Sequence, residues 1–264
     1  IEVLAECPTH LKMTPLETEK WVKEEMLPIF PLGIKKQTNP NNPWFKPQNP
    51  SFHPETVIEI LGGKNEKIQQ FSEGIFPSHI DANDISLKLA GSGGDGAQTA
   101  AMLITQAAIN ENFDATHIPS YGPESRGGTS YADVHIAKTK VLSPSSPHPK
   151  ILIAFNTPSL IKFAPTVSDC GIILYDSSIV SQDISKELSK LDPSIKVYGV
   201  PFAETATKLG KTFVKNIVAL GALNAAAKLF PDQTFLNTLK RALGGKTELL
   251  PLNEAAYAAG KSFK

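Results

Sequence analysis

The stretch "ISLKLAGSGGDGAQTAAMLITQAAIN", Ile85 to Asn110, decides the fold. It opens as an apolar strand, "ISLKLAG", and closes as a helix in which Ala100, Leu103, Ile104, Ala107 and Ala108 recur at helical spacing. Between strand and helix lie Gly91, Gly93, Gly94 and Gly96. Glycine permits a tight turn and close backbone approach. The helix that follows offers free N–H groups and the positive end of its dipole. A strand, a glycine loop and a helix in this order read as one unit of a doubly wound sheet holding a phosphate-bearing ligand. The competing reading is a tight strand–helix packing turn with no ligand.

The sequence after Asn110 continues the alternation. "ATHIPSY" (115–121) reads as a second strand, and "TSYADVHIA" (129–137) alternates as an antiparallel or edge strand does. "KILIAFN" (150–156) and "CGIILYD" (170–176) are dense apolar runs typical of buried parallel strands, and "IKVYGVP" (195–201) is a further strand. Helix-like segments follow them. The longest, "KTFVKNIVALGALNAAAKLF" (211–230), is apolar on nearly every face, which places it at the centre of the fold or in an oligomer interface. The class is α/β: a doubly wound, Rossmann-like sheet preceded by an irregular helix-plus-linker appendage.

That appendage has two parts. In residues 1–36, Thr14-Pro15 with Glu17 marks a helix start: a capping hydroxyl, a proline at the first helical position and an acid at the third. Residues 37–84 hold the Pro/Asn-rich "NPNNPWFKPQNP", an extended linker, and "PETVIEILGG", a short helix. Residues 85–264 form the sheet domain. The opening "IEVLAEC" reads as a strand already under way, as in a segment cut from something longer.

Several function classes drop out on composition. Formal net charge is zero, with 26 basic and 26 acidic residues, so no global field favours nucleic acid or an anionic membrane. The two cysteines, Cys7 and Cys170, form no C-x-x-C pair, so this chain supplies neither an iron–sulfur cluster nor a structural zinc site. No apolar run is long enough to span a bilayer, and a cytoplasmic location is expected.

The ligand class narrows by elimination. NAD calls for an acid at the end of the second strand, where Ile118, Pro119 and Ser120 stand instead. A P-loop needs Gly-Lys-Ser/Thr, but Gly96 precedes Ala97-Gln98. What remains is an anion site whose second wall is the loop Ser120–Thr129. That loop carries Arg126, one of only two arginines in the chain, beside Gly127 and Gly128. A planar forked cation next to flexible backbone suits phosphate or carboxylate, although a simple pair with Glu124 would also use it. If the two loops follow neighbouring strands, they share one crevice. Asn156 adds polar groups at its edge.

These residues resemble the gamma component of the 2-oxoacid:ferredoxin oxidoreductases. The resemblance rests on "GSGGDGA" (91–97), "PSYGPESRGGTSYADVHIA" (119–137), "YGVPFAETATKLG" (198–210) and "NEAAYAAG" (253–260). "CPTHLKMTPLETEKWVKEEMLPIFPLG" (7–33) is similar to the C-terminal tail of the thiamine diphosphate-binding beta component. The resemblance implies a subunit of an enzyme that oxidatively decarboxylates a 2-oxoacid to an acyl-CoA, with 2-oxoglutarate or a branched-chain 2-oxoacid favoured over pyruvate. It implies coenzyme A on this chain, with Gly91, Gly93, Gly94 and Gly96 as backbone cradle. Ser120, Tyr121, Gly122, Pro123, Glu124, Arg126, Gly127, Gly128, Thr129 and Asn156 complete the site or shape a docking surface. Thiamine diphosphate, magnesium and iron–sulfur clusters would reside in the alpha and beta components or a cluster carrier, with ferredoxin as acceptor. Contacts between copies of the chain are also expected. No catalytic or metal-binding residue is assigned here. The alternatives are a ligand-free assembly module of the same complex and a free-standing nucleotide-binding protein.

Overall fold

The structure, a computed structural model, describes residues 11, 13–34, 84–120, 129–180, 184–244 and 246–263. The chain divides into two compact units, Ile1–Asn65 and Glu66–Lys264.

In the first unit, α1 (Pro15–Trp21) starts as its sequence dictates. Thr14 caps it, accepting from Glu17 N–H at 3.4 Å, while Glu17 Oε2 accepts from Thr14 N–H at 2.8 Å. A π-helical turn (Val22–Met26) and α2 (Leu27–Ile29) carry the helix past Pro28.

The second unit is a six-stranded sheet built from β1 (Asp84–Gly91), β2 (Asp114–Ser120), β3 (Ser130–Ala137), β4 (Ile151–Ala154), β5 (Ile172–Asp176) and β6 (Lys196–Val200). Their order is β2-β3-β1-β4-β5-β6. β1, β4, β5 and β6 run parallel, and β3 is antiparallel to both β1 and β2. The "TSYADVHIA" segment is therefore antiparallel but interior, and β2 takes the edge. β3 is interior because both of its edges are used, residues 130–137 pairing with β1 on one side and residues 131–137 with β2 on the other.

The helices are α3 (Ala97–Asn110), α4 (Thr157–Phe163), α5 (Ser185–Leu188), α6 (Phe202–Lys208), α7 (Lys215–Ala227), α8 (Asp232–Leu243) and α9 (Leu250–Lys261). Period-2 alternation sorts strand residues between two layers. Leu87, Leu89, Ile151, Ile153 and Leu174 face the core shared with α3, α6, α7, α8 and α9. Ala90, Leu152, Ala154 and Ile173 face a smaller core with α4. On the smaller core's side of the sheet Lys88 and Asp133 pair, nearly enclosed; Asp133 Oδ2 also accepts Ser146 N–H at 3.0 Å, and Lys88 Nζ lies 4.5 Å from the Tyr131 ring centroid.

The all-round apolar helix is central. α7 buries Ile217, Val218, Ala219, Leu220, Gly221, Ala222 and Leu223 within its own chain. It crosses α9 with backbone nearly touching backbone: a Cβ on Gly221 would stand 2.1 Å from the Tyr257 carbonyl oxygen, and one on Gly260 1.9 Å from that of Val218. The distal ends of α7, α8 and α9 are tied by side chains. Asn224 Nδ2 and Tyr257 Oη each donate to Asp232 Oδ1 at 3.0 Å, and Lys261 binds the other oxygen. Among the described residues no helix is long and apolar enough to cross a membrane.

Candidate ligand-binding site

The glycine loop joins β1 to α3 at the carboxyl end of the parallel strands. Its single acid is turned inward. Asp95 Oδ2 accepts from Ser92 N–H at 2.6 Å and from Asn156 Nδ2 at 3.3 Å, and Asp95 Oδ1 accepts from Lys215 Nζ at 2.6 Å. Lys215 and Asp95 are each about 85% buried, so the loop's negative charge is neutralised inside the protein and does not repel an incoming anion. Gly96 holds φ +82° at the N-cap of α3, with no side chain capping the helix. The first N–H groups of a fourteen-residue helix therefore open outward as donors.

They open on a cavity of about 610 Å³. One wall is the loop and the first turns of α3, from Ser92 to Leu103, with Ser130 beside them. The second is Phe213, Asn216 and Ile217, and the third is Leu239 and Leu243 of α8 with Asn253 of α9. A volume of this order seats a cofactor-sized group. A larger cavity of about 750 Å³ runs along β6 and the end of α7, and no residue of the glycine loop lines it.

Gly93, Gly94 and Gly96 line the glycine-loop cavity, while Gly91 ends β1 beneath it. Asn156 is a brace: its Oδ1 caps α4 through Ser159 N–H at 2.9 Å, and its Nδ2 donates to Ser92 Oγ at 2.8 Å. Ser120 ends β2, its carbonyl receiving Ser130 Oγ–H at 3.5 Å, and Thr129 precedes β3. Tyr121, Gly122, Pro123, Glu124, Arg126, Gly127 and Gly128 lie outside the described residues.

The expectation that the two loops follow neighbouring strands is corrected, because β3 separates β1 from β2. Their roots still meet. Gly91 pairs with Ser130 and Ser120 with Tyr131, which starts and ends the β2–β3 connection beside the glycine loop. Gln98 of α3 clamps that root, donating from Nε2 to the Tyr131 carbonyl at 2.9 Å and to Ser130 Oγ at 3.3 Å. Its Oε1 lies 3.2 Å from His117 Nε2. Burial holds the His117 pKa below its ordinary value, which favours the neutral ring donating to Gln98.

Sequence reasoning missed Lys215, Asn216, Phe213 and Asn253. Three of them sit at the start of the segment read only as an apolar helix. The one available signal was the polar pair Lys215-Asn216 interrupting that run.

The fold and site together define a doubly wound α/β domain whose glycine loop opens on a cofactor-sized cavity. Comparison with known proteins narrows this: residues 86–263 match the pyruvate ferredoxin/flavodoxin oxidoreductase family, and the chain belongs to it. It is 32% identical over 268 residues to the ketoisovalerate oxidoreductase subunit VorA of Methanothermobacter thermautotrophicus, a match covering 100% of this chain and 53% of the relative. The chain thus spans about half the length of that relative. The gamma subunit of a keto/oxoacid ferredoxin oxidoreductase from Geobacter sulfurreducens superposes with a TM-score of 0.53 at 27% identity, covering 67% of this chain and 95% of the other. A 2-oxoglutarate:ferredoxin oxidoreductase from Magnetococcus marinus, solved with 2-oxoglutarate, coenzyme A and succinyl-CoA bound, shares the fold. There the TM-score is 0.61 at 22% identity, over 68% of this chain and 31% of that one.

Proposed function

We propose that this chain is a gamma-type component of a cytoplasmic 2-oxoacid:ferredoxin oxidoreductase, with a branched-chain 2-oxoacid or 2-oxoglutarate as substrate. The net reaction splits the 2-oxoacid's carboxyl–carbonyl bond, releases CO₂ and joins the acyl carbon to the coenzyme A thiol. Two electrons pass to ferredoxin. Residues 85–264 are the gamma domain, 37–84 a linker, and 1–36 the tail of the thiamine-binding beta component. The similarity to VorA runs over the whole of this chain and 53% of that subunit, which supports a reading in which the tail, the linker and the gamma domain share one polypeptide. Thiamine diphosphate, magnesium and iron–sulfur clusters belong to the alpha and beta components and a cluster carrier.

The observation carrying this reading is the cavity of about 610 Å³ on the uncapped N-terminus of α3, in a chain of this family. Coenzyme A supplies the thiol that accepts the acyl group. The residues of this chain bind and orient it. Backbone N–H groups from the glycine loop and α3 receive oxyanions, and the Asp95–Lys215 pair holds the loop in shape without leaving a repelling charge. Gln98 fixes the root of the loop bearing Arg126, which supplies the cation for phosphate and a docking surface for partner subunits.

The test is coenzyme A titration into the intact complex carrying wild-type chain or Arg126→Ala. Affinity weakened at least tenfold, with the complex still assembled, supports a ligand role. A lower yield of assembled complex, with unchanged affinity in the fraction that does assemble, supports the assembly-module alternative.

A further inference from the structure

The β6 edge of the sheet carries backbone groups that nothing among the described residues answers. Lys196 N–H donates to the Gly171 carbonyl at 2.9 Å, and the Val200 carbonyl accepts from Ser177 N–H at 3.0 Å. A residue in a parallel strand turns its N–H and its carbonyl to the same side, and that side alternates along the strand. Lys196, Tyr198 and Val200 therefore serve β5, while Val197 and Gly199 turn their groups outward. Gly199 is exposed and Val197 half-buried. Among the described residues no strand or turn pairs with these outward groups.

The edge opens on the cavity of about 750 Å³ between β6 and the end of α7. Val197 and Gly199 both line it, and Leu174, Ala222, Phe230 and Phe263 make much of the rest. The polar side chains of the lining are largely committed inside the chain. Asn224 donates to the Phe230 carbonyl at 2.9 Å and accepts from Phe230 N–H at 3.3 Å. Asp232 is held by Tyr257 and Lys261. What remains for an occupant is the strand edge, the Tyr198 hydroxyl and the Lys228 ammonium. A small molecule finds few directed side-chain partners there. An extended chain finds a ladder of backbone partners and apolar space for its alternate side chains.

Charge selects among extended chains. Lys228 is exposed at the cavity, and among the described residues no acid pairs with it. It ends α7 in a left-handed backbone, φ +47°, where glycine or asparagine is usual, so lysine stands there against the backbone preference. Lys196, also exposed, begins β6. The one acid in the described lining, Asp232, is taken by Lys261. β6 is only five residues long and is followed by Pro201, features that restrain an edge from pairing indiscriminately. The edge thus favours a short, acidic strand over a neutral or basic one.

Resting on the reading of this chain as one component of a larger enzyme, we propose that an extended segment of a partner subunit adds to the sheet alongside β6. The segment pairs with Val197 and Gly199, seats alternate apolar side chains in the groove and sets a carboxylate against Lys228.

Amide exchange, compared between the full chain alone and the assembly purified from its own cells, tests this. Exchange over residues 196–200 should be fast in the lone chain and at least about tenfold slower in the assembly. A carbodiimide, which joins lysine amines directly to touching carboxylates, should link Lys228 to an acid of a different polypeptide. Lys228→Glu should weaken retention of the chain in the assembly by about tenfold and Lys228→Gln by less, with the lone chain folding as before. An assembly in which residues 196–200 exchange as fast as in the lone chain overturns the docking and leaves the component reading intact. A chain that leaves its cells without partners removes both. Protection accompanied by a Lys228 link to a second copy of this chain, or by no link at all, overturns the acidic partner segment.

Discussion

Lys215 Nζ lies 2.6 Å from Asp95 Oδ1, joining the first residue of α7 to the glycine loop 120 positions earlier. Both side chains are only about 15% exposed, so each charge depends on the other. Replacing Lys215 with methionine strands a largely buried carboxylate on neutral donors and should destabilise the chain by about 3 kcal/mol. Adding Asp95→Asn removes the stranded charge, so the double variant should recover much of the loss. Urea unfolding of the two singles and the double gives the coupling directly, and additive losses would show that the pair acts as two independent groups.

Two glycines in the loop share a left-handed backbone but not a neighbour. Gly94 has φ +89°, and a Cβ added there would meet nothing within 4 Å, whereas a Cβ on Gly96, at φ +82°, would stand 2.8 Å from Asn216 Cβ. Gly94→Ala should cost the conformational strain alone, about 1–2 kcal/mol. Gly96→Ala adds a collision that moves the start of α7. It should cost more and also weaken coenzyme A binding at least tenfold. Paired unfolding and titration measurements separate the two; equal behaviour would mean that Asn216 yields freely.

Much of this was legible in the sequence because the signals were local. Ile85–Asn110 announced strand, loop and helix, since apolar period and glycine placement act within a few residues. Thr14, Pro15 and Glu17 announced a helix start for the same reason. The position of β3 was not legible. An alternating strand fits an edge or an interior place equally well, and only pairing with both β1 and β2 decides which. The glycine-loop cavity was hidden too. Its second and third walls come from residues 213–217, 239–243 and 253, which share no pattern with the glycine loop and meet it only once the helices cross. Lys215 and Asn216 were masked by the apolar helix they begin, because a burial argument weighs the majority of a segment and these two are the exceptions.

Asp232 sets an acid limit on the end of the molecule remote from the glycine loop. Burial pushes its carboxyl up, but hydrogen bonds from Lys261, Tyr257 and Asn224 and the charge of Lys261 outweigh that and hold it below the usual aspartate range. A group whose folded pKa is depressed contributes stability above its unfolded value and loses it as pH falls through the folded one. Wild-type chain should therefore lose stability on going from pH 6 to pH 3 partly through Asp232. Asp232→Asn should start less stable at pH 6 and fall less over the same interval. Thermal unfolding midpoints across that range check it, and parallel pH curves would remove Asp232 from the acid response.

The crossing of α7 and α9 makes the sharpest demand on a single residue type. Glycine inside an exposed helix ordinarily costs stability relative to alanine by roughly 0.5–1 kcal/mol, so Gly→Ala there is stabilising. At Gly260 the sign reverses. The added methyl would lie 1.9 Å from the Val218 carbonyl oxygen and 3.0 Å from Ala222 N, all of it helix backbone that no rotamer change relieves. α9 must back away from α7, which opens the packing of Ala256 and Tyr257 against the main core. A loss of about 3 kcal/mol or more is expected, at the upper end of overpacking effects. Gly221→Ala, facing the Tyr257 carbonyl at 2.1 Å, should behave alike, and the two together should cost less than their sum because one separation accommodates both methyls. Chemical unfolding of the three variants measures this. A midpoint for Gly260→Ala at or above wild type would mean that the helices do not cross this closely in solution.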